Sequence, residues 1–154
     1  MTITLLYILK RNTIHCQVPW LPELFALSED LKLLEDVMTR EAGLTGEELE
    51  AYKYSYRNYQ AWRGALNLYR ASFSKKSAEF WSSEEMKRRI RNIRVRTLQI
   101  FGTADAYLTE AAARASHKFV PDHQLRLLEG VSHWVQHQQP HQVNTIIKQF
   151  LDSR

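Results

Sequence analysis

Two residues of this chain follow directly on apolar runs, and both are of a type that moves protons. Thr97-Leu-Gln-Ile-Phe101 is an apolar run that breaks into Gly102-Thr-Ala-Asp105-Ala-Tyr-Leu108. Gln124-Leu-Arg-Leu-Leu128 is a second apolar run, and it breaks into Glu129-Gly-Val-Ser-His133-Trp134. The separation between the runs suits a strand–helix–strand unit. An acid just past one parallel strand and a histidine just past the next meet at the carboxyl edge of a sheet, where open α/β folds place their sites. A carboxylate on one ring nitrogen fixes the imidazole tautomer and supports its protonated form, so the other nitrogen serves as a general base near neutral pH. Such a pair forms the acid and base of a hydrolytic triad. The nucleophile is not found. A Gly-x-Ser-x-Gly or Gly-x-Asp-x-Gly elbow needs glycines four apart. The glycines here are Gly43, Gly46, Gly64, Gly102 and Gly130, and none are so spaced.

Other chemistry is less well supported. Aspartate after glycine is also a common turn residue, and it is the later His-Trp pair that favours the catalytic reading of Asp105. His137 and His141 stand four apart around Pro140 with no acid in a helical frame, so neither a metal site nor a cofactor is expected. Cys16 is the only cysteine. It excludes a disulfide framework, fits a reducing compartment, and reads as an incidental thiol rather than a nucleophile. The net charge of +4 lies largely in Lys87-Arg-Arg-Ile-Arg-Asn-Ile-Arg-Val-Arg96. No nucleic-acid-binding module surrounds that run, so it reads as a solvated helix end leading into a strand.

The chain has 154 residues, enough for one core. Thr2-Ile-Thr-Leu-Leu-Tyr-Ile-Leu-Lys10 is apolar, but well short of the roughly 20 residues that a membrane span needs. It lacks the basic start and small-residue cleavage site of a signal peptide. Residues 1–15 support no assignment. Pro19 and Pro22 argue against regular helix over Val18-Pro-Trp-Leu-Pro22. From Ser28 a helix is expected, with Leu31, Leu34, Val37 and Met38 on one face and Gly43 closing it. Thr45-Gly-Glu-Glu48 and Ser82-Ser-Glu-Glu85 have the pattern of capping boxes. Between them Gln60–Phe73 is expected to be helical, with Trp62, Leu66, Tyr69 and Phe73 on one face. A strand over Ile93–Phe101, a helix over Thr109–Phe119, a strand over Leu125–Leu128 and a helix opened by Pro140 complete the pattern. That last helix carries Val143, Ile146, Ile147, Phe150 and Leu151 as its apolar stripe. The fold class is therefore α/β after a helical region: residues 16–90 as a helical cap and 91–154 as the end of an α/β core. Two parallel strands alone make a poor sheet, because such strands are normally buried within a larger one. The chain thus reads as the end of a longer protein.

Three segments together resemble the C-terminal half of an epoxide hydrolase of the α/β-hydrolase fold, of the animal type. They are Trp62-Arg-Gly-Ala-Leu-Asn-Leu-Tyr69-Arg70, Phe101-Gly-Thr-Ala-Asp105-Ala-Tyr-Leu108 and Gly130-Val-Ser-His133-Trp134-Val-Gln-His-Gln-Gln-Pro140. The resemblance covers residues 16–154. It implies that Asp105 orients His133, that His133 is the base that hydrolyses an ester intermediate, and that Tyr69 donates to the epoxide oxygen. Trp134, next to the base, is expected either to line the substrate pocket or to wedge the final helix. The substrate implied is a small-molecule epoxide, with no cofactor, metal or nucleic acid. The family's other cap tyrosine has no counterpart here: Asn12 stands near its place, and Tyr7 is too far upstream. An intracellular setting, cytoplasmic or associated with the endoplasmic reticulum, is expected. Two other readings remain open. One is a related hydrolase such as a haloalkane dehalogenase, and the other a truncated form that binds without catalysis.

Overall fold

The computed structural model describes residues 16–91 and 93–153. Asn12, Tyr7 and the apolar start of the chain lie outside the described residues. The chain divides into two compact units, the first Met1–Arg40 with Leu44–Ser83, the second Glu41–Gly43 with Glu84–Arg154.

The first unit is helical. Helix α1 spans Leu21–Leu27 with Pro22 in its first turn. Proline is at home there, since the first helical N–H groups have no partner to lose. This corrects the expectation of no regular helix across Leu21 and Pro22; the break falls at Trp20, whose φ is 54°. Ser28 also differs from expectation. It ends α1, donating from Oγ to Phe25 O at 2.6 Å, instead of opening the next helix. Glu29, Asp30 and Leu31 then take left-handed backbone angles, so helix α2 begins only at Lys32 and runs to Val37. Lys53 Nζ holds the turn by an ion pair with Asp30 at 2.7 Å. Of the expected inward face, Leu31, Leu34 and Met38 are buried and Val37 is half-buried.

Helix α3 spans Gly46–Tyr56 after Thr45, whose side chain makes no capping bond, so that expected capping box is not closed. Helix α4 spans Tyr59–Ser72 and is capped instead by Asn58, whose side chain accepts from Ala61 N–H. Ser74 caps α5, Lys75–Ser82, in the same way, a helix beyond those expected from the sequence. Arg70 of α4 ties the unit together. Its Nη1 lies 2.6 Å from Glu23 Oε1, and its Nη2 lies 3.1 Å from Glu23 Oε2. Its Nε and Nη2 also donate to the carbonyls of Cys16 and Val18 at 2.6 and 2.8 Å. Glu23 is 1% exposed, and a charge so buried needs this paired, hydrogen-bonded setting.

The second unit holds helix α6 (Glu84–Arg91), strand β1 (Thr97–Gly102), helix α7 (Glu110–Ala115), strand β2 (His123–Leu128), the short helix α8 (Val135–Gln138) and helix α9 (Pro140–Asp152). Strands β1 and β2 are parallel, with Thr97 opposite His123 and Gly102 opposite Leu128. The strand expected from Ile93 starts at Thr97, because β2 begins at His123 and offers no earlier partner; Val95 is 73% exposed. Helix α7, capped by Thr109, gives way at Ser116 to a single 3-10 turn, so it is shorter than the expected span to Phe119. Leu128, Val131 and Val143 form the core, with Ile100, Val135 and Ile146 packed against them. Of the stripe expected on α9, Val143 is buried, but Ile147 and Leu151 are exposed.

Candidate active site

The register of the two strands creates the site. Because Gly102 and Leu128 pair at the carboxyl ends, the loops that follow leave the sheet side by side. Thr103 fastens them. Its N–H donates to Leu128 O at 3.0 Å, and its Oγ1 accepts from Gly130 N–H at 2.9 Å. Ala104 N–H donates to Val131 O at 2.9 Å. Gly102 is required by this closeness: a Cβ there would stand 2.2 Å from Val131 O and 2.4 Å from Ser132 O, far inside van der Waals contact.

Asp105 and His133 face each other across these loops. Asp105 Oδ2 accepts from His133 Nδ1 at 2.9 Å. Its other oxygen, Oδ1, accepts from Tyr107 N–H at 2.7 Å and from Leu108 N–H at 2.9 Å. The aspartate is thus a turn residue and a histidine partner at once, one oxygen for each task. Its side chain is 4% exposed, whereas that of His133 is 37% exposed. Burial pushes the Asp105 carboxyl up, but the bonds from His133, Leu108 and Tyr107 outweigh burial and hold it below the ordinary aspartate range. It stays an acceptor at neutral pH. An Nδ1–H donated to Asp105 leaves the Nε2 lone pair free to accept a proton.

Aromatic rings frame the histidine. The Tyr107 ring lies 5.0 Å from it, centroid to centroid, and the Trp134 ring meets it edge-on at 5.7 Å. Trp134 Nε1 is buried without a hydrogen-bond partner among the described residues. Asp105, His133 and Trp134 therefore come together in the second unit. Tyr69 lies on α4 of the first unit and is 54% exposed. His137 packs its ring 6.1 Å from that of Trp134. Among the described residues no group of three or more metal-type side chains gathers, and no helix is long and apolar enough to cross a membrane.

No family model matches the chain. Epoxide hydrolase 1 of Caenorhabditis elegans is 35% identical over 140 residues, which are 86% of this chain and 32% of the relative. The human Epoxide hydrolase 4 is 31% identical over 144 residues, covering 88% of this chain and 37% of the relative. The chain is similar to the C-terminal half of an epoxide hydrolase of the α/β-hydrolase fold. The chain spans about a third of the length of these curated relatives. Among solved structures, an epoxide hydrolase of Bacillus megaterium in complex with an inhibitor matches 99% of this chain and 54% of its own, with a TM-score of 0.75 at 20% identity. A haloalkane dehalogenase of Agrobacterium tumefaciens matches 92% of this chain and 50% of its own, with a TM-score of 0.72 at 16% identity. At such identities the structural likeness shows the fold alone.

Tyr107 and Glu41 also stand at the site of this epoxide-hydrolase-like chain, and neither was expected there. Glu41, 66 positions before Tyr107, accepts a hydrogen bond on its carboxylate from the Tyr107 hydroxyl. Its carbonyl accepts from Ser132 Oγ at 3.2 Å and from Gln138 Nε2 at 2.7 Å. No local pattern marks Glu41, which sits in a π-helical turn, Met38–Ala42.

Proposed function

We propose that this chain supplies the acid–base half of an epoxide hydrolase. The observation that carries the reading is the 2.9 Å contact between a buried Asp105 and a partly exposed His133, on loops that follow adjacent parallel strands. In the reaction a carboxylate, which these 154 residues do not place on an elbow, attacks an epoxide carbon. The ring C–O bond breaks and a hydroxyalkyl ester forms. Tyr69 gives its hydroxyl proton to the opened oxygen as negative charge develops there, becoming a phenolate, and its apolar ring suits the pocket. His133 Nε2 then takes a proton from water, and the hydroxide adds to the ester carbonyl. Collapse expels the diol oxygen, which takes the proton from His133, and the carboxylic acid left behind returns its proton to Tyr69 through solvent, which restores the carboxylate. Asp105 holds the ring and stabilises the imidazolium that forms. Trp134, edge-on to His133, walls the base.

The same pair would serve a haloalkane dehalogenase, and fold likeness to one exists. Tyr69 within Arg63-Gly-Ala-Leu-Asn-Leu-Tyr69-Arg70 favours the epoxide, because a phenol donates to an alkoxide better than it cradles a halide. The test is a chimaera in which residues 16–154 replace the matching part of the nematode relative. Conversion of an epoxide to its diol, with a large loss of rate in Tyr69→Phe, is the expected result. A folded chimaera that releases halide from haloalkanes and leaves epoxides intact would overturn the reading.

A further inference from the structure

Glu41 stands outside the proton-transfer pair but touches both loops that carry it. Through its carboxylate it receives the Tyr107 hydroxyl. Tyr107 in turn gives its N–H to Asp105 Oδ1 at 2.7 Å and lays its ring 5.0 Å from His133. Through its carbonyl Glu41 receives Ser132 Oγ and Gln138 Nε2, and the Gln138 side chain accepts from Ser132 N–H at 2.7 Å. Ser132 immediately precedes His133. One residue therefore grips the acid loop by Tyr107, the histidine loop by Ser132 and the end of α8 by Gln138.

We propose that Glu41 is a positioning residue for the Asp105–His133 pair, and that Tyr107 transmits its effect. The inference rests on the reading of that pair as acid and base. The physical case is one of restraint. His133 is more than a third exposed, and its described hydrogen bond is the one to Asp105. A ring so placed keeps its orientation only if its neighbours are locked. Glu41 supplies the lock from an element distant in sequence, and its acceptor atoms, not its negative charge, make the contacts. A neutral amide of the same shape should therefore suffice.

The test reads the reactivity of His133 directly, in the full chain, and does not require turnover. Diethylpyrocarbonate acylates neutral imidazole, so the rate at each pH, mapped residue by residue with tandem mass spectrometry, gives the protonation midpoint of His133. His141 serves as an internal reference. Asp105→Asn should lower the midpoint, because an ionised partner favours the protonated ring. If it does not, the acid–base reading itself fails, independently of Glu41. Tyr107→Phe and Glu41→Ala should each lower the His133 midpoint, by loosening its contact with the ionised Asp105, and leave His141 unchanged. Glu41→Gln should keep it close to that of the unsubstituted chain. An unchanged His133 in Tyr107→Phe overturns the proposal, whether or not Glu41→Ala folds. So does a parallel change at His141, which would mean general loosening, or a Glu41→Gln midpoint as low as that of Glu41→Ala.

Discussion

The two carboxylate oxygens of Asp105 have different partners. Oδ1 closes its own turn and Oδ2 holds His133. Asn at this position keeps the turn and loses the charge. In the chimaera, Asp105→Asn should therefore leave folding nearly intact and slow ester hydrolysis by about three to four orders of magnitude, as removal of the acid does in other acid–histidine sites; single-turnover kinetics would measure it. The Asp105 carboxyl is held below its ordinary range, so its contribution to stability is full above the unfolded aspartate pKa. It is lost as pH falls through the lowered folded value. Glu23 follows the same sign, held low first by its hydrogen bond from Arg70, against burial. Acid titration of the fold should thus show stability constant from neutral pH down to the ordinary carboxylate range, then declining below it. A decline beginning near neutrality would contradict the assignment. Arg70→Met leaves a buried Glu23 unpaired and should cost about 3 kcal/mol, read as a lowered denaturation midpoint. Arg70→Lys should recover only part of it, since an ammonium cannot match the bidentate fork. Asp105 and His133 were legible in the sequence because each follows an apolar run within a few residues. Glu41 was not, because its contacts reach Tyr107, Ser132 and Gln138 only through the fold.

At the scale of elements, β1 and β2 set the geometry and Gly102 permits it. A Cβ at Gly102 would strike two backbone carbonyls, which cannot swing aside as a side chain can. Gly102→Ala should cost about 1–3 kcal/mol as an overpacking change. It should also lengthen the Asp105–His133 contact, visible as a lowered His133 midpoint in the acylation assay. Gly64→Ala makes a control, because nothing lies within 4 Å of the added carbon. The strands and the last helix were readable from apolar runs and from Pro140. The starts of β1 and α2 were not. The first is decided by where β2 begins, and the second by left-handed angles at Glu29, Asp30 and Leu31 that no residue type there announces. The unformed cap at Thr45 teaches the same point: the capping pattern is permissive, and a single left-handed glycine, Gly46 with φ of 57°, follows the cap residue.

At the scale of the whole molecule, the chain contains two parallel strands among its described residues. It spans about a third of the relatives it matches. The 154-residue polypeptide by itself should not turn over epoxides, since no glycine-flanked nucleophile is present. A sheet edge that no described strand covers should make it prone to associate. Light scattering and a diol assay on the purified chain would check both. Rapid turnover by the chain alone would contradict the account. The most direct test of the central claim is the intact mass of the chimaera carrying His133→Gln after exposure to an epoxide. If His133 hydrolyses an ester, the protein should gain the mass of one epoxide, held on a carboxylate and lost slowly. If His133→Gln turns over at the parent rate with no adduct, His133 is not the base.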